Sequence, residues 1–294
     1  MNHIRNIAIY RSLITRIVFL FILIMLIWRY YSYNLPHQLA SPVLLKIGID
    51  PNYWLYMLFN LQYWVVENHL TSQIFSYSLI AFCLTVIISP NRRCLIIVFT
   101  ILYYIYSILY RINLTFHTHH MSVMMLITFC FWPKKDQSFE FTWDFARYYA
   151  CWVYTSAFIW KFINGAVYQS EQGFEIMKNE LAWFIFQNPE HFLTNIYTFF
   201  ISNNFLIEIG TKIIYGLEGL FIVGFFTRKL DIFLSLNIFF IHIVLYFFTD
   251  TLFIEQCILS LLFIPVNVWK NISLLLNDFK KNQFPKIVSF TVLK

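Results

Sequence analysis

Charge is what this chain has least of. Only 12% of its 294 residues are Asp, Glu, Lys or Arg, against 59% hydrophobic, whereas soluble domains carry about 25% charged residues. That excludes a soluble globular protein and places the chain in a membrane. No polar block interrupts the apolar material, so residues 1–294 read as a single membrane domain with no soluble domain attached. There is also no continuous basic patch. The net charge of +6 comes from small groups of Lys and Arg at the ends of apolar runs, which excludes nucleic acid as a partner and points to orientation in a bilayer. The 5 cysteines contain no CxxC pair and are odd in number, which excludes a disulfide framework or a thiolate zinc site; they read as reduced core residues. No small-residue cleavage site follows the first apolar run, Ile17 to Trp28, because the chain continues RYYSYNLPHQ. That run is expected to be an uncleaved span.

What is present is a succession of apolar runs punctuated by proline and basic turns. Spans are expected at about Leu13–Tyr33, His69–Ser89, Cys94–Arg111, Thr115–Trp132, Ala146–Ile163, Phe205–Phe226, Ile232–Phe248 and Leu252–Trp269. Pro36, Pro90 and Pro133 close the first, second and fourth. The last two form a tight hairpin at Thr249-Asp250. Two connections are long. Residues 37–68 carry NYWLYMLFNLQYWVV, whose tryptophans and tyrosines suit the headgroup layer. Within residues 164–204, Phe174, Met177, Leu181, Phe184 and Ile185 recur at helical spacing and predict an amphipathic helix over 172–188. The expected fold is therefore all-α, a polytopic membrane helix bundle of about eight transmembrane helices with interfacial amphipathic helices.

With a cytoplasmic N-terminus, 15 of the 21 basic residues fall at inner ends, among them Arg92, Arg93, Lys134, Lys135, Arg228 and Lys229. The asymmetry alternates at every connection, so both termini are expected to be cytoplasmic in the cell membrane.

Lys161 sits in the fifth span, in ARYYACWVYTSAFIWKFINGAVY. A lysine in a span is costly and commonly functional. It lies about 22 Å up a helix that starts at the inner face, near the outer surface. His117, His119 and His120 start the fourth span, Glu208 and Lys212 lie in the outer half of the sixth, His242 in the outer half of the seventh, and Glu255 just inside the eighth. One shared outer-leaflet cavity satisfies them all. Ala157, Tyr154, Ala150 and Arg147 lie on the lysine's own face, a small and polar stripe that turns Lys161 inward. Three readings stay open for these residues. Lys161 is either a snorkelling side chain or a buried neutral amine base. His117 and His120, one turn apart, have the spacing of metal ligands, but no carboxylate or cysteine motif accompanies them and no metal is expected. Glu208 and Lys212 read as an internal ion pair, and Glu218 as a capping or interhelical pairing residue.

Three motifs, in chain order HTHHMSVMML, YTSAFIWKFINGAVY and YGLEGLFIVGFFTRKLD, resemble the HTTM family in their order and spacing. Its best-known members are the membrane domains of vitamin K-dependent gamma-carboxylases, and it includes bacterial proteins similar to sporulation-delaying protein B. The resemblance implies that Lys161 is a base toward a reduced quinone and that His120 stabilises developing negative charge. Phe162 stands where the family has leucine, His119 where it commonly has asparagine, and no large lumenal domain follows the eighth span. The size is closer to the sporulation-delaying-protein-B-like branch, which implies peptide toxin maturation with a small secreted peptide and accessory maturation proteins as partners besides the lipid bilayer. The resemblance leaves the enzymatic chemistry and the cofactor unassigned beyond a reduced quinone. The competing expectation is a non-catalytic transporter or lipid-binding scaffold, which calls for broken helices or an inverted repeat, and neither is evident in the sequence.

Overall fold

The computed structural model describes residues 2–39, 51–114, 120–133, 135–249 and 254–283. Among the described residues every regular element is helical. The α-helices, in chain order, are α1 (Asn2–Tyr31), α2 (Pro51–Leu58), α3 (His69–Ile88), α4 (Arg93–Leu114), α5 (His120–Cys130), α6 (Asp136–Ile163), α7 (Gln172–Gln187), α8 (Phe192–Ser202), α9 (Asn204–Gly219), α10 (Asp231–Thr249) and α11 (Val266–Gln283). Two tighter 3-10 stretches, Leu220–Phe225 and Ile254–Phe263, run on from α9 and into α11.

Length and composition make 4 helices able to cross a membrane: Tyr10–Gln38 around α1, then α3, Arg93–Tyr110 of α4, and α10. A fifth crossing arises if Glu255–Phe263 and Val266–Leu276 count as one bent span. Large apolar side chains stay exposed along them, including Ile24 on α1, Ile74 on α3, Ile101 on α4 and Ile243 on α10. Contiguous exposed apolar surface on that scale is compatible with a protein that sits in lipid.

Local chemistry explains where the helices stop. Asn68 accepts from the Thr71 N–H at 3.2 Å and starts α3, which ends before Ser89-Pro90. Helix α6 ends at Asn164, and the chain turns through Gly165 at a φ of 77°, a left-handed backbone that glycine adopts without a Cβ penalty. The core is largely aromatic. Phe19 packs on Phe99 with ring centroids 5.0 Å apart, and Trp132 and Trp143 flank Phe139 where α5, α6 and α1 meet.

Three expectations are corrected. The fifth helix begins at Asp136, ten residues before Ala146, because its charged first turns are held in place: Glu140 accepts from Lys270 at 2.7 Å and Asp144 pairs with Arg228. The eighth span is not one continuous helix. Its 3-10 stretch ends at Phe263, Pro265 cannot continue the ladder, and α11 leaves at an angle of 95°. The Trp143 indole N–H donates to the Ile264 carbonyl at 3.1 Å and satisfies an acceptor at the break. The sixth span is likewise composite, α9 followed by the 3-10 turn Leu220–Phe225. The helix expected over 172–188 is α7, with Met177 and Leu181 buried.

Candidate functional site

Helix α6 is the strut of the site. At 28 residues it is about 42 Å long, and it carries ionic groups at both ends. At its far end Lys161 Nζ reaches both carboxylate oxygens of Glu218 on α9, at 2.6 and 2.5 Å. The Lys161 side chain is 29% exposed and that of Glu218 only 7%. The ammonium also lies 4.9 Å from the centroid of the Tyr215 ring. Lys161 is therefore neither a lone snorkelling cation nor an isolated amine. It is the open member of an interhelical ion pair whose other member is buried.

Beside this pair, α9 ties down the connection that follows α6. Lys212 Nζ donates to the carbonyls of Ala166 and Gln169 at 3.2 and 2.6 Å, and the Tyr215 hydroxyl donates to Gln172 Oε1 at 3.0 Å. Glu208 Oε1 accepts from the Phe174 N–H at 3.1 Å, placing a carboxylate against the first turn of α7. The expected Glu208–Lys212 ion pair is present at 3.9 Å, a loose contact beside these hydrogen bonds. Close approach makes this possible: a Cβ on Gly173 would lie 2.1 Å from Thr211 Oγ1.

Deeper in the bundle, one turn and more back along α6, the Tyr154 hydroxyl shares a 2.8 Å hydrogen bond with His242 Nε2 of α10. Both side chains are buried, and the Tyr154 ring stacks on Phe221 at 4.4 Å. Ala157 is half-buried on the same side of α6. Glu255, at the start of its 3-10 stretch, accepts from Arg29 Nε at 2.9 Å, and Arg29 also donates to the Tyr110 hydroxyl. The Arg29 guanidinium carbon sits 4.0 Å over the Tyr110 ring. Glu255 and Lys161 are both close enough to act electrostatically on His242. Lys161, Glu218, Tyr154, His242, Glu255 and Arg29 thus occupy one end of the bundle, contributed by α1, α6, α9, α10 and the 254–263 stretch.

Sequence reasoning brought Lys161, Tyr154, His242, Glu255, Glu208 and Lys212 to that end. His117 and His119, and the side chain of His120, lie outside the described residues, as does the expected approach of His120 to Lys161. Two partners were missed as members of the site. Glu218 was read as a pairing residue without its mate, and Arg29 was not singled out. The available signal was the same for both, an ionisable residue in or against an apolar run.

Farther down α6, Arg147 is 2% exposed and joins three segments. Its Nε donates to Asp231 Oδ1 and Oδ2 at 3.1 and 3.0 Å, Nη1 to the Gly224 carbonyl at 2.9 Å, and Nη2 to the Thr227 carbonyl at 3.1 Å. This network fixes the turn after Leu220–Phe225 and so sets where Glu218 and His242 stand.

A shallow groove of about 600 Å³ runs along Tyr168–Gln172 and the adjacent turns of α7, lined by Glu171, Glu175 and Glu180. A small void lies between Met25, Tyr103, Glu255 and Ile258. No group of three metal-ligating side chains occurs among the described residues. Comparison with protein-family models, with curated proteins and with solved structures returns no match for this chain.

Proposed function

We propose that the chain is a multi-pass membrane protein of about eight spans, with both termini cytoplasmic in the cell membrane, that handles a proton at the Lys161–Glu218 pair as a membrane enzyme or maturation factor of the HTTM, carboxylase-like kind. The observation that carries this reading is the pair itself: a partly exposed ammonium held by a buried carboxylate, with a buried Tyr154–His242 hydrogen bond about two turns back along α6. Ionisable groups are rare inside membrane spans because they are costly there, and a cluster of them marks a site.

The pair also has a chemical use. A proton shared between Nζ and the carboxylate can settle on Glu218, which leaves Lys161 a neutral amine without changing the charge of the pair. That amine takes a proton from a small secreted peptide or from the hydroxyl of a quinone-like lipid, and its partial exposure gives access from the bundle edge. A reduced quinone, when bound, supplies an acidic hydroxyl and reducing equivalents. Phe162 and Tyr168, with ring centroids 5.5 Å apart next to Lys161, offer the flat apolar faces such a ring requires. Peptide toxin maturation, with accessory proteins, is the biological setting this reading favours. The test is to search the neighbouring genes for a small secreted peptide and to follow its maturation by mass spectrometry with Glu218→Gln in place. Loss of the mature form at unchanged protein level supports the reading, and undiminished maturation refutes it.

One observation favours a second reading, a transporter or lipid-binding scaffold. The 95° break at Ile264-Pro265 is a discontinuous apolar helix pair of the sort transporters use at their binding sites. In that case Lys161→Arg, which keeps the charge, retains function.

A further inference from the structure

The end of the bundle opposite Lys161 carries a group of arginines whose guanidiniums reach backbone carbonyls. Arg16 on α1 donates from Nε to the Ile87 carbonyl at 3.2 Å, at the close of α3. Arg93, the first residue of α4, donates to the Trp132 carbonyl, and Arg11 Nη1 donates to the next carbonyl along, that of Pro133, at 2.5 Å. Arg92 is exposed beside them, and its backbone N–H closes the Ser89-Pro90 turn onto the Ser89 carbonyl at 3.2 Å. Three short chain ends thus gather four arginines into one corner.

Elsewhere in the lower part of the bundle three cations have carboxylates, Arg147 with Asp231, Arg228 with Asp144 and Lys270 with Glu140, while Lys135 and Lys229 stand exposed as single cations among the described residues. Among the described residues no carboxylate pairs with Arg16, Arg92 or Arg93. A guanidinium has five N–H donors, and the contacts of Arg16 and Arg93 use one each. Like charges held together, with donors left over, call for an anion, and the planar fork of arginine matches phosphate oxygens. Exposed apolar side chains sit one turn from three of the arginines, Leu20 from Arg16, Ile88 from Arg92 and Ile97 from Arg93, and Phe131 precedes the Trp132 carbonyl that Arg93 reaches. A ligand that satisfies both features has a phosphate at its head and hydrocarbon behind it.

We propose that this corner, between the first half of α1 and the ends of α3, α4 and α5, is a binding site for the phosphate of an anionic phospholipid, whose acyl chains run along Ile88, Ile97 and Phe131. The site is independent of the Lys161 chemistry. It holds the helix ends together through the lipid phosphate, and it favours an anionic leaflet on this side.

The test uses the full chain purified in a neutral maltoside detergent and stripped of lipid, with its thermal unfolding midpoint followed by tryptophan fluorescence. Phosphatidylglycerol is expected to raise the midpoint in a saturable way, while phosphatidylcholine of the same chains does not. In Arg16→Gln/Arg93→Gln the lipid concentration needed is expected to rise about tenfold or more. Arg92→Gln, whose side chain caps no carbonyl, gives a several-fold rise and serves if the double variant does not fold. Lys178→Gln, on α7 at the far end, leaves the response unchanged. Equal responses to the two lipids, or an unaltered phosphatidylglycerol response in Arg92→Gln and the double variant, overturn the proposal. Glycerol phosphate giving the full shift by itself also overturns it, in favour of a soluble phosphate ester.

Discussion

Replacing Arg147 by methionine removes its hydrogen bonds to Asp231 and to the Gly224 and Thr227 carbonyls and leaves the Asp231 carboxylate, 4% exposed, without its partner. Breaking a buried ion pair by deleting one member costs about 3–5 kcal/mol, most of it from the charge left behind. The Gly224 and Thr227 carbonyls lose donors as well, so the upper part of that range is expected. Arg147→Met/Asp231→Leu removes the stranded charge, and a packed apolar pair in place of a buried ion pair is often neutral. The double variant is therefore expected to recover at least about half of the loss. The assay is denaturant titration in mixed micelles, with helicity read by circular dichroism. A single variant within about 1 kcal/mol of the parent, or a double variant no more stable than the single, refutes the claim that Arg147 organises the turn beneath the site.

Gly173→Ala is expected to separate α7 from α9, because the new Cβ would meet Thr211 Oγ1 at 2.1 Å; a loss of about 1–3 kcal/mol follows, and Thr211→Ala in the same chain relieves most of it in the same titration. Tyr154→Phe keeps the ring stack on Phe221 but removes the hydroxyl shared with His242, so the fold survives with a loss of about 1–2 kcal/mol while peptide maturation drops; unchanged maturation separates this hydrogen bond from the function. Reporter fusions after Asn34, Asn91, Thr249 and Lys294 are expected to read outside, inside, outside and inside, and a C-terminal reporter on the outer face refutes the topology.

The helices were legible where apolar runs meet breakers, as at Ser89-Pro90 and at Asn164-Gly165, because proline and glycine act on the backbone next to them. Helix α7 was legible too, since Met177 and Leu181 repeat at the spacing that buries one face. The start of α6 was hidden because Glu140 and Asp144 look like loop residues until Lys270 and Arg228 stand opposite them. The bend at Pro265 was hidden for another reason. Hydropathy is the same for a straight run and a broken one, and the angle is set by packing against α1 and α6. Within the site, Lys161 was visible as a charge in an apolar run, but its mate lies 57 positions away on a different helix, and no periodicity joins residues on separate elements.

The central claim is that Lys161 acts through its proton and not through its charge alone, and Lys161→Arg tests this most directly. Arginine preserves the positive charge and can keep the contact with Glu218, but it does not give up its proton at any accessible pH. Peptide maturation by cells carrying the chain and its neighbouring genes is expected to be lost in Lys161→Arg, with the amount of protein in the membrane and its unfolding midpoint unchanged. Full maturation with arginine at this position contradicts the claim and leaves the Lys161–Glu218 pair as a structural clamp between α6 and α9.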